Sequence, residues 1–215
     1  MEMDVRPVVI HNFSEIAISS INAACKALIE GEPKLTEWDI QVGDGDCGIT
    51  MLRGAKEVLK RLDEGKLSVS NPSRLFADLA DAVSSSMGGT SGILFELMLR
   101  KMSTSLIGRD VDRNSLSTAF VEGVQAGSFY GGATRGCRTM MDALIPAADT
   151  ALTGSLELMA AAALQGAEST TSMKEALAGR SSYLNAETLM NTPDPGAKAV
   201  EYILRAIAES VSGII

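Results

Sequence analysis

Apolar residues recur every three to four positions along most of this chain, the spacing of one face of an α-helix, and no stretch alternates convincingly with the two-residue period of a strand. The first such stretch opens at Asn12, which with Glu15 three residues on has the form of a capping box. Gly31 is expected to end it. Met51, Leu52, Ala55, Val58, Leu59 and Leu62 make a second face, followed by Gly65. Asn71-Pro72 opens a third helix, with Leu75, Phe76, Leu79, Ala80 and Val83 on one side. Ile93 to Met102 is a fourth, ending near Gly108, and Leu116 to Val124 a fifth. Thr139 to about Thr150 reads as a sixth, with Pro146 expected to kink or break it. Ser155 to Leu177 is Ala-rich and reads as a long seventh helix, interrupted at Gly166. Asp194-Pro195 starts a last one carrying Ala199, Ile203, Leu204, Ile207 and Val211. The pattern predicts about eight helices and an all-α fold. With no internal repeat and no low-complexity linker, residues 1–215 read as one domain.

Composition agrees with that reading. Aromatic residues are only 4% while Ala, Leu, Met and Ile abound, a balance that favours helix over sheet. The net charge of −8 argues against nucleic acid or an anionic membrane as the main partner. Cys25, Cys47 and Cys137 are far apart and form no CxxC, which argues against a disulfide framework or a zinc site. No basic N-terminal region precedes a long apolar run, and no stretch reaches the roughly 18 apolar residues of a membrane span. A cytoplasmic protein is expected.

The chemistry concentrates in Trp38-Asp39-Ile40-Gln41-Val42-Gly43-Asp44-Gly45-Asp46-Cys47-Gly48. Asp39, Asp44 and Asp46 crowd three negative charges together, and oxygen-only ligands of this kind suit a hard cation such as Mg²⁺. Further glycines gather at Gly88/Gly89/Gly92, at Gly127/Gly131/Gly132/Gly136 and in Asp194-Pro195-Gly196. They suggest loops that present backbone N–H groups to phosphate at helix N-termini. Residues 43–48 formally match G-x-G-x-x-G, with Glu64 near the position of a ribose-binding acid, but no buried strand follows Gly65 as a dinucleotide site requires. An EF-hand fails, because Ile49 and Ala55 stand where Gly and Glu are needed, and no P-loop motif is present. The bland alternative is a solvated acidic turn, which accounts for one aspartate and not three. Met87-Gly88-Gly89-Thr90-Ser91-Gly92 fits either a helix cap or a phosphate cradle. Arg180, in Gly179-Arg180-Ser181-Ser182-Tyr183-Leu184, is either a surface arginine or a phosphate ligand. His11, the only histidine, reads as a surface or capping residue. Cys47, among carboxylates, is not expected to act as a nucleophile.

Taken in order, Asp39-x4-Asp44-Gly-Asp46, Met87-Gly-Gly-Thr-Ser-Gly92, Thr139-Met140-Met141-Asp142-Ala143-Leu144, Gly179-Arg180-Ser181-Ser182-Tyr183 and Asp194-Pro195-Gly196 resemble the nucleotide-binding domain of dihydroxyacetone kinases. That domain is the L subunit of two-chain enzymes or the C-terminal domain of fused ones. The resemblance implies a closed barrel of eight antiparallel amphipathic helices, with the nucleotide in the loops at one end. It implies Mg²⁺ held by Asp39, Asp44 and Asp46, and phosphate contact by Cys47, Gly48, Ile49, Thr50, Gly89, Thr90 and Ser91. It implies nucleoside and lid contact by Gly131, Met140, Arg180, Asp194, Pro195 and Gly196. One departure is Cys137, where the family usually has Asp before Arg-Thr-Met or Lys-Thr-Met, and it bears on the local lid contacts.

The function so implied is Mg²⁺-dependent phosphoryl transfer from ATP to dihydroxyacetone or a related short ketose. The ketose is held by a histidine of a partner K subunit, so no catalytic residue is assigned in this chain. Gly-Asp-Gly-Asp-Cys-Gly and Thr-Pro-Asp-Pro-Gly resemble the ATP-using type. A type that retains ADP and is rephosphorylated by a phosphotransferase-system protein, and a nucleotide-loaded regulatory binding protein, remain as alternatives. Whether the chain also forms a homodimer is left open.

Overall fold

The computed structural model describes residues 10–212. Among them lie α1 (Phe13–Val42), α2 (Cys47–Asp63), α3 (Pro72–Ser86), α4 (Gly89–Ser105), α5 (Arg113–Gly131), α6 (Met141–Ala151), α7 (Leu156–Ser169), the single turn α8 (Ala186–Leu189) and α9 (Pro195–Val211). Short 3₁₀ turns occupy 170–172 and 180–183, and no strand occurs among the described residues.

The eight longer helices form one closed ring. Each packs on its neighbour in sequence, and α9 closes the circle by lying between α7 and α1. Short connections force adjacent helices to run antiparallel. The closure is antiparallel as well: Ser19 near the start of α1 donates to the Ser210 carbonyl near the end of α9. The expected all-α closed barrel of eight antiparallel helices is therefore what the chain adopts. Its core has two main parts. Ala17, Ile21, Leu28, Leu35, Met51, Val58 and Leu75 fill the side of α1–α3. Leu94, Met98, Val124, Met141, Leu144, Met159 and Val200 fill the side of α4–α7 and α9. No helix among the described residues is long and apolar enough to cross a membrane.

Helix starts follow local chemistry. Asn71, Ser155 and Asp194 each accept an N–H from the first turn of α3, α7 and α9, and Pro72 and Pro195 stand where a missing N–H costs nothing. The reciprocal capping box lies at Asp112 and Ser115 rather than at Asn12, which receives the Glu15 and Ile16 N–H groups on its backbone carbonyl.

Four expectations about helix ends are corrected, each because a glycine or proline acts on packing. Gly31 does not end α1; the helix passes through it and through Pro33. A Cβ on Gly31 would meet the Tyr202 ring at 2.6 Å, so the glycine lets α9 close on α1. Pro33 is exposed, where water can replace the missing donor. The helix α5 runs on to Gly131, so Gly127 and Gly131 belong to a helix and not to a loop. Gly123 and Gly127 admit Met102 and Met98 of α4. Pro146 sits inside α6 without breaking it. The helix α7 ends at Ser169, well before Leu177, and Gly166 does not interrupt it. The last two are one device. Pro146 has no N–H to offer the Asp142 carbonyl, and that carbonyl faces Gly166, where a Cβ would overlap it.

Gly166→Ala should therefore destabilise the fold by about 1–3 kcal/mol, the usual cost of overpacking, and outweigh the roughly 1 kcal/mol that alanine gains in helix propensity. Urea unfolding with a midpoint equal to or above wild type would show that α6 and α7 are not in this contact.

Candidate functional site

Because the helices alternate up and down, the N-termini of α2, α4, α6 and α9 meet the C-termini of α1, α3, α5 and α7 at one end of the barrel. Four helix N-termini concentrate partial positive charge and free N–H donors there. Residues 170–194 lie over the same end. The Ser181 hydroxyl donates to the Val42 carbonyl, Thr192 to Gln41 Oε1, and the Leu177 N–H to the Cys137 carbonyl. Leu189, Ala176 and Val42 form a small apolar patch beneath them.

Asp39 stands in the last turn of α1 and is buried, and its Oδ2 accepts the Cys47 N–H at 2.9 Å. The chain then reverses through Gly43, where a Cβ would collide with Asp39 Oδ1, and Gly45, at φ +81°. That tight reversal brings Asp44 and Asp46 back to Asp39. One oxygen from each carboxylate lies within 4.8 Å of the others. Asp46 is the N-cap residue of α2, yet its side chain makes no capping bond. Burial, and then the charges of Asp44 and Asp39, push its carboxyl above the ordinary range, with Arg53 pulling the other way. Three carboxylates so close together are short of positive charge, and their oxygens fit a hard divalent cation such as Mg²⁺. Arg180 reaches in from the covering segment, its Nε 3.0 Å from Asp44 Oδ2.

The other sequence-predicted residues fall around this centre. Cys47, Gly48, Ile49 and Thr50 form the first turn of α2. Gly48 lets that turn press on Glu32 and Thr36 of α1, while Thr50 is buried and accepts from Arg53 at 3.2 Å. Burial and then the carboxylates push the Cys47 thiol far up, as its surroundings suggested. Gly89, Thr90 and Ser91 are the first turn of α4 rather than a loop before it. In neither α2 nor α4 does the N-cap side chain bond to the first turn; the Cys47 N–H is taken by Asp39, which leaves those of Gly48, Ile49, Gly89, Thr90 and Ser91 available to an anion. Gly131 ends α5 against Leu94, and Gly196 opens α9 against Met140. Thr90, Ser91, Gly131 and Met140 make no hydrogen bond to the carboxylates; they stand on neighbouring helix ends. Asp194 is buried at the start of α9, where its Oδ1 takes the Ala197 N–H at 2.7 Å. Burial pushes its carboxyl up to about 7, against that N–H and the Arg138 charge, and Asp142 and Asp39 add to the rise.

Three residues escaped the sequence reading. Arg53 lies one turn into α2 and offsets Asp46. Asp142 is buried and ties the preceding loop, accepting the Gly136 and Thr139 N–H groups; its place three after Thr139 was the available signal. Arg138 is almost wholly buried at φ +60° and contacts the covering segment; the Arg-Thr-Met segment was noted in the sequence, but no role was given to its arginine. Cys137, the departure from the usual Asp, turns its sulfur to the Thr134 N–H. Its contact with the covering segment passes through its backbone carbonyl, which the side-chain change does not touch. With no strand among the described residues, the dinucleotide alternative has no βαβ unit to rest on.

Comparison with known proteins points the same way. The profile of the DAK2 domain matches residues 41–209, which takes in Asp44 and Asp46 and starts just after Asp39. The dihydroxyacetone kinase of Citrobacter freundii is 37% identical over 185 residues, 85% of this chain and 33% of that protein. The triokinase/FMN cyclase of Mus musculus is 36% identical over 198 residues, 88% of this chain and 34% of that protein. The crystal structure of the native C. freundii dihydroxyacetone kinase is similar with a TM-score of 0.78 at 31% identity, covering 98% of this chain and 37% of the other. The crystal structure of the same enzyme in complex with AMP-PNP and Mg²⁺ gives 0.75 at 30% identity, covering 98% and 36%. The chain thus spans about a third of the length of these relatives. Matched over most of its length in sequence and nearly all of it in fold, this chain belongs to the DAK2 domain family.

Proposed function

We propose that this chain, as a single domain, binds a magnesium nucleotide and donates its terminal phosphoryl group to a short ketose held by a partner. One observation carries the reading: three carboxylate oxygens within 4.8 Å of one another, beside two uncapped helix N-termini at the same end of a closed barrel. The relative crystallised with AMP-PNP and Mg²⁺ supports it.

Phosphoryl transfer asks a protein mainly for positioning and charge neutralisation. Mg²⁺, when bound, supplies the positive charge that neutralises the phosphates and the transition state. Asp39, Asp44 and Asp46 hold the metal. The first turns of α2 (Cys47 to Thr50) and α4 (Gly89 to Ser91) give backbone N–H groups and hydroxyls to the phosphate oxygens. Gly131, Met140 and Asp194 to Gly196 border the nucleoside. Arg180, paired with Asp44 at a largely exposed position, closes over the phosphates. Cys47 after the last aspartate favours ATP as an exchanging substrate over a retained ADP.

The ketose site is assigned to a K-type partner. Capture of a ketone as a hemiaminal needs a positioned neutral imidazole. His11, the one histidine, is exposed just before α1, roughly 40 Å from Asp39 at 1.5 Å per helical residue. Exposed apolar side chains around the site end, Ile49, Ile93, Phe129, Tyr130 and Tyr183, suit a docking surface there.

Asp44→Asn and Asp46→Asn should each abolish Mg·ATP binding while leaving the helical circular dichroism intact; wild-type affinity by calorimetry in both would remove the metal assignment. Mg·ADP at a hundredfold excess over its Kd should stabilise the fold by about 2.7 kcal/mol. That rise in Tm should vanish with EDTA and be absent with NAD, and a shift insensitive to EDTA would count against the reading. The purified chain should not phosphorylate dihydroxyacetone alone. Activity should appear with a matching K subunit and be unchanged by His11→Ala, whereas unaided turnover at an ordinary enzymatic rate would place the ketose site in this chain.

A further inference from the structure

Arg138 is the largest of the almost fully buried side chains, at 1% exposure. It lies between the end of α5 and the start of α6, in a left-handed conformation that residues other than glycine rarely adopt. Its guanidinium donates to groups of the covering segment: Nη1 to Ser181 Oγ at 3.3 Å, and Nη2 to the Leu189 and Thr192 carbonyls at 3.2 and 2.7 Å. Nε finds no acceptor among the described residues. The carboxylates of Asp142 and Asp194 lie near enough to act on its charge, but neither forms an ion pair with it.

This is a poor way to fill space. A methionine or leucine would occupy much of the volume, at the same backbone conformation, without burying a charge or leaving a donor unpaired. What no apolar residue can do is hold acceptors at both ends of one segment at once. Ser181 follows Arg180 directly, and its own hydroxyl is committed to the Val42 carbonyl at the end of α1. Leu189 and Thr192 close the other end of the segment. Thr192 is tied in turn to Gln41, two residues beyond Asp39.

Resting on the nucleotide reading above, we propose that Arg138 is a positioning residue: a buried clasp that fixes residues 177–192 over the site and so keeps Arg180 beside Asp44. It touches neither the acidic cluster nor any atom assigned to the phosphates. Its effect is on how long the covering segment stays closed, and therefore on the rate at which nucleotide leaves.

The test compares wild type, Arg138→Gln, Arg138→Lys and the milder Ser181→Ala, which serves if Arg138→Gln does not fold. Hydrogen exchange is first measured without nucleotide. Arg138→Gln should speed exchange of amides 177–192 at least tenfold while α3, α4 and α5 stay at wild-type rates, with Arg138→Lys restoring part of the protection and Ser181→Ala giving a smaller change. Stopped-flow release of Mg·ADP should then quicken by a similar factor, with the association rate little changed. Unchanged exchange in 177–192, or faster exchange spread evenly over the barrel, would overturn the clasp, as would unaltered Mg·ADP release. If wild type binds no Mg·nucleotide, the nucleotide reading and the release effect fall together, and the ligand-free exchange pattern alone decides whether the clasp stands.

Discussion

Repulsion among Asp39, Asp44 and Asp46 has to be offset, and much about this end of the barrel follows from that need. Two unit charges 4.8 Å apart cost about 1 kcal/mol in water and about 3–4 kcal/mol at the effective dielectric of a protein surface. Asp44 and Asp46 are exposed, so water holds each pair toward the lower figure, but all three pairs act in the same direction. The exposed Arg180–Asp44 pair contributes at most about 1 kcal/mol, so it cannot balance the cluster. Arg53, the helix N-termini and the raised Asp46 carboxyl each relieve part of the charge. A divalent cation would relieve the rest, which ties the folded energy of the empty protein to the chemistry proposed for the filled one.

Close approach of backbones is the second requirement, and glycine supplies it. Gly48 brings α2 onto α1 beside Asp39, Gly123 and Gly127 seat α4 on α5, and Gly166 seats α7 on α6. Gly43 has a different task, since its missing Cβ leaves room for Asp39 Oδ1, an oxygen of the carboxylate cluster proposed to hold the metal. Packing and site are thus not separable here. A larger residue at Gly43 would push on the Asp39 carboxylate, and one at Gly48 would push α2 off the α1 backbone beside it.

The helix cores were legible because an amphipathic period repeats over several turns and needs no knowledge of the partner helix. The ends were not. Gly31, Gly127 and Gly166 looked like terminators because sequence cannot distinguish a glycine needed for positive φ from one needed for contact. The deciding neighbours, Tyr202, Met98 and the Asp142 carbonyl, lie on other helices. The acidic cluster was legible because its members are adjacent in sequence, with the tight reversal written in Gly43 and Gly45. Arg180 was legible as a candidate through its motif, though not as the partner of Asp44. Arg138 was legible only as part of the Arg-Thr-Met segment, because the acceptors it holds are 43 to 54 residues away. Thr90 and Ser91 were read as part of a loop, whereas they lie in the first turn of α4.

Closure of the ring by α9 carries a consequence for how the barrel is made. The helices α1 to α7 can each pack on the one just before, so most contacts need only short loops and can form early. The contact of α1 with α9 joins opposite ends of the described chain and cannot form until nearly all of it is present. Until then Ala17, Ile21 and Leu28 on one side, and Val200 and Leu204 on the other, lack their full cover. Synthesis from the ribosome must pass through an open arc of helices with an apolar inner face, the state most exposed to misassociation. The same late step completes the site end, because Asp194 and Gly196 arrive with α9. A chain that has not closed should therefore lack both the ring and the place where nucleotide would sit.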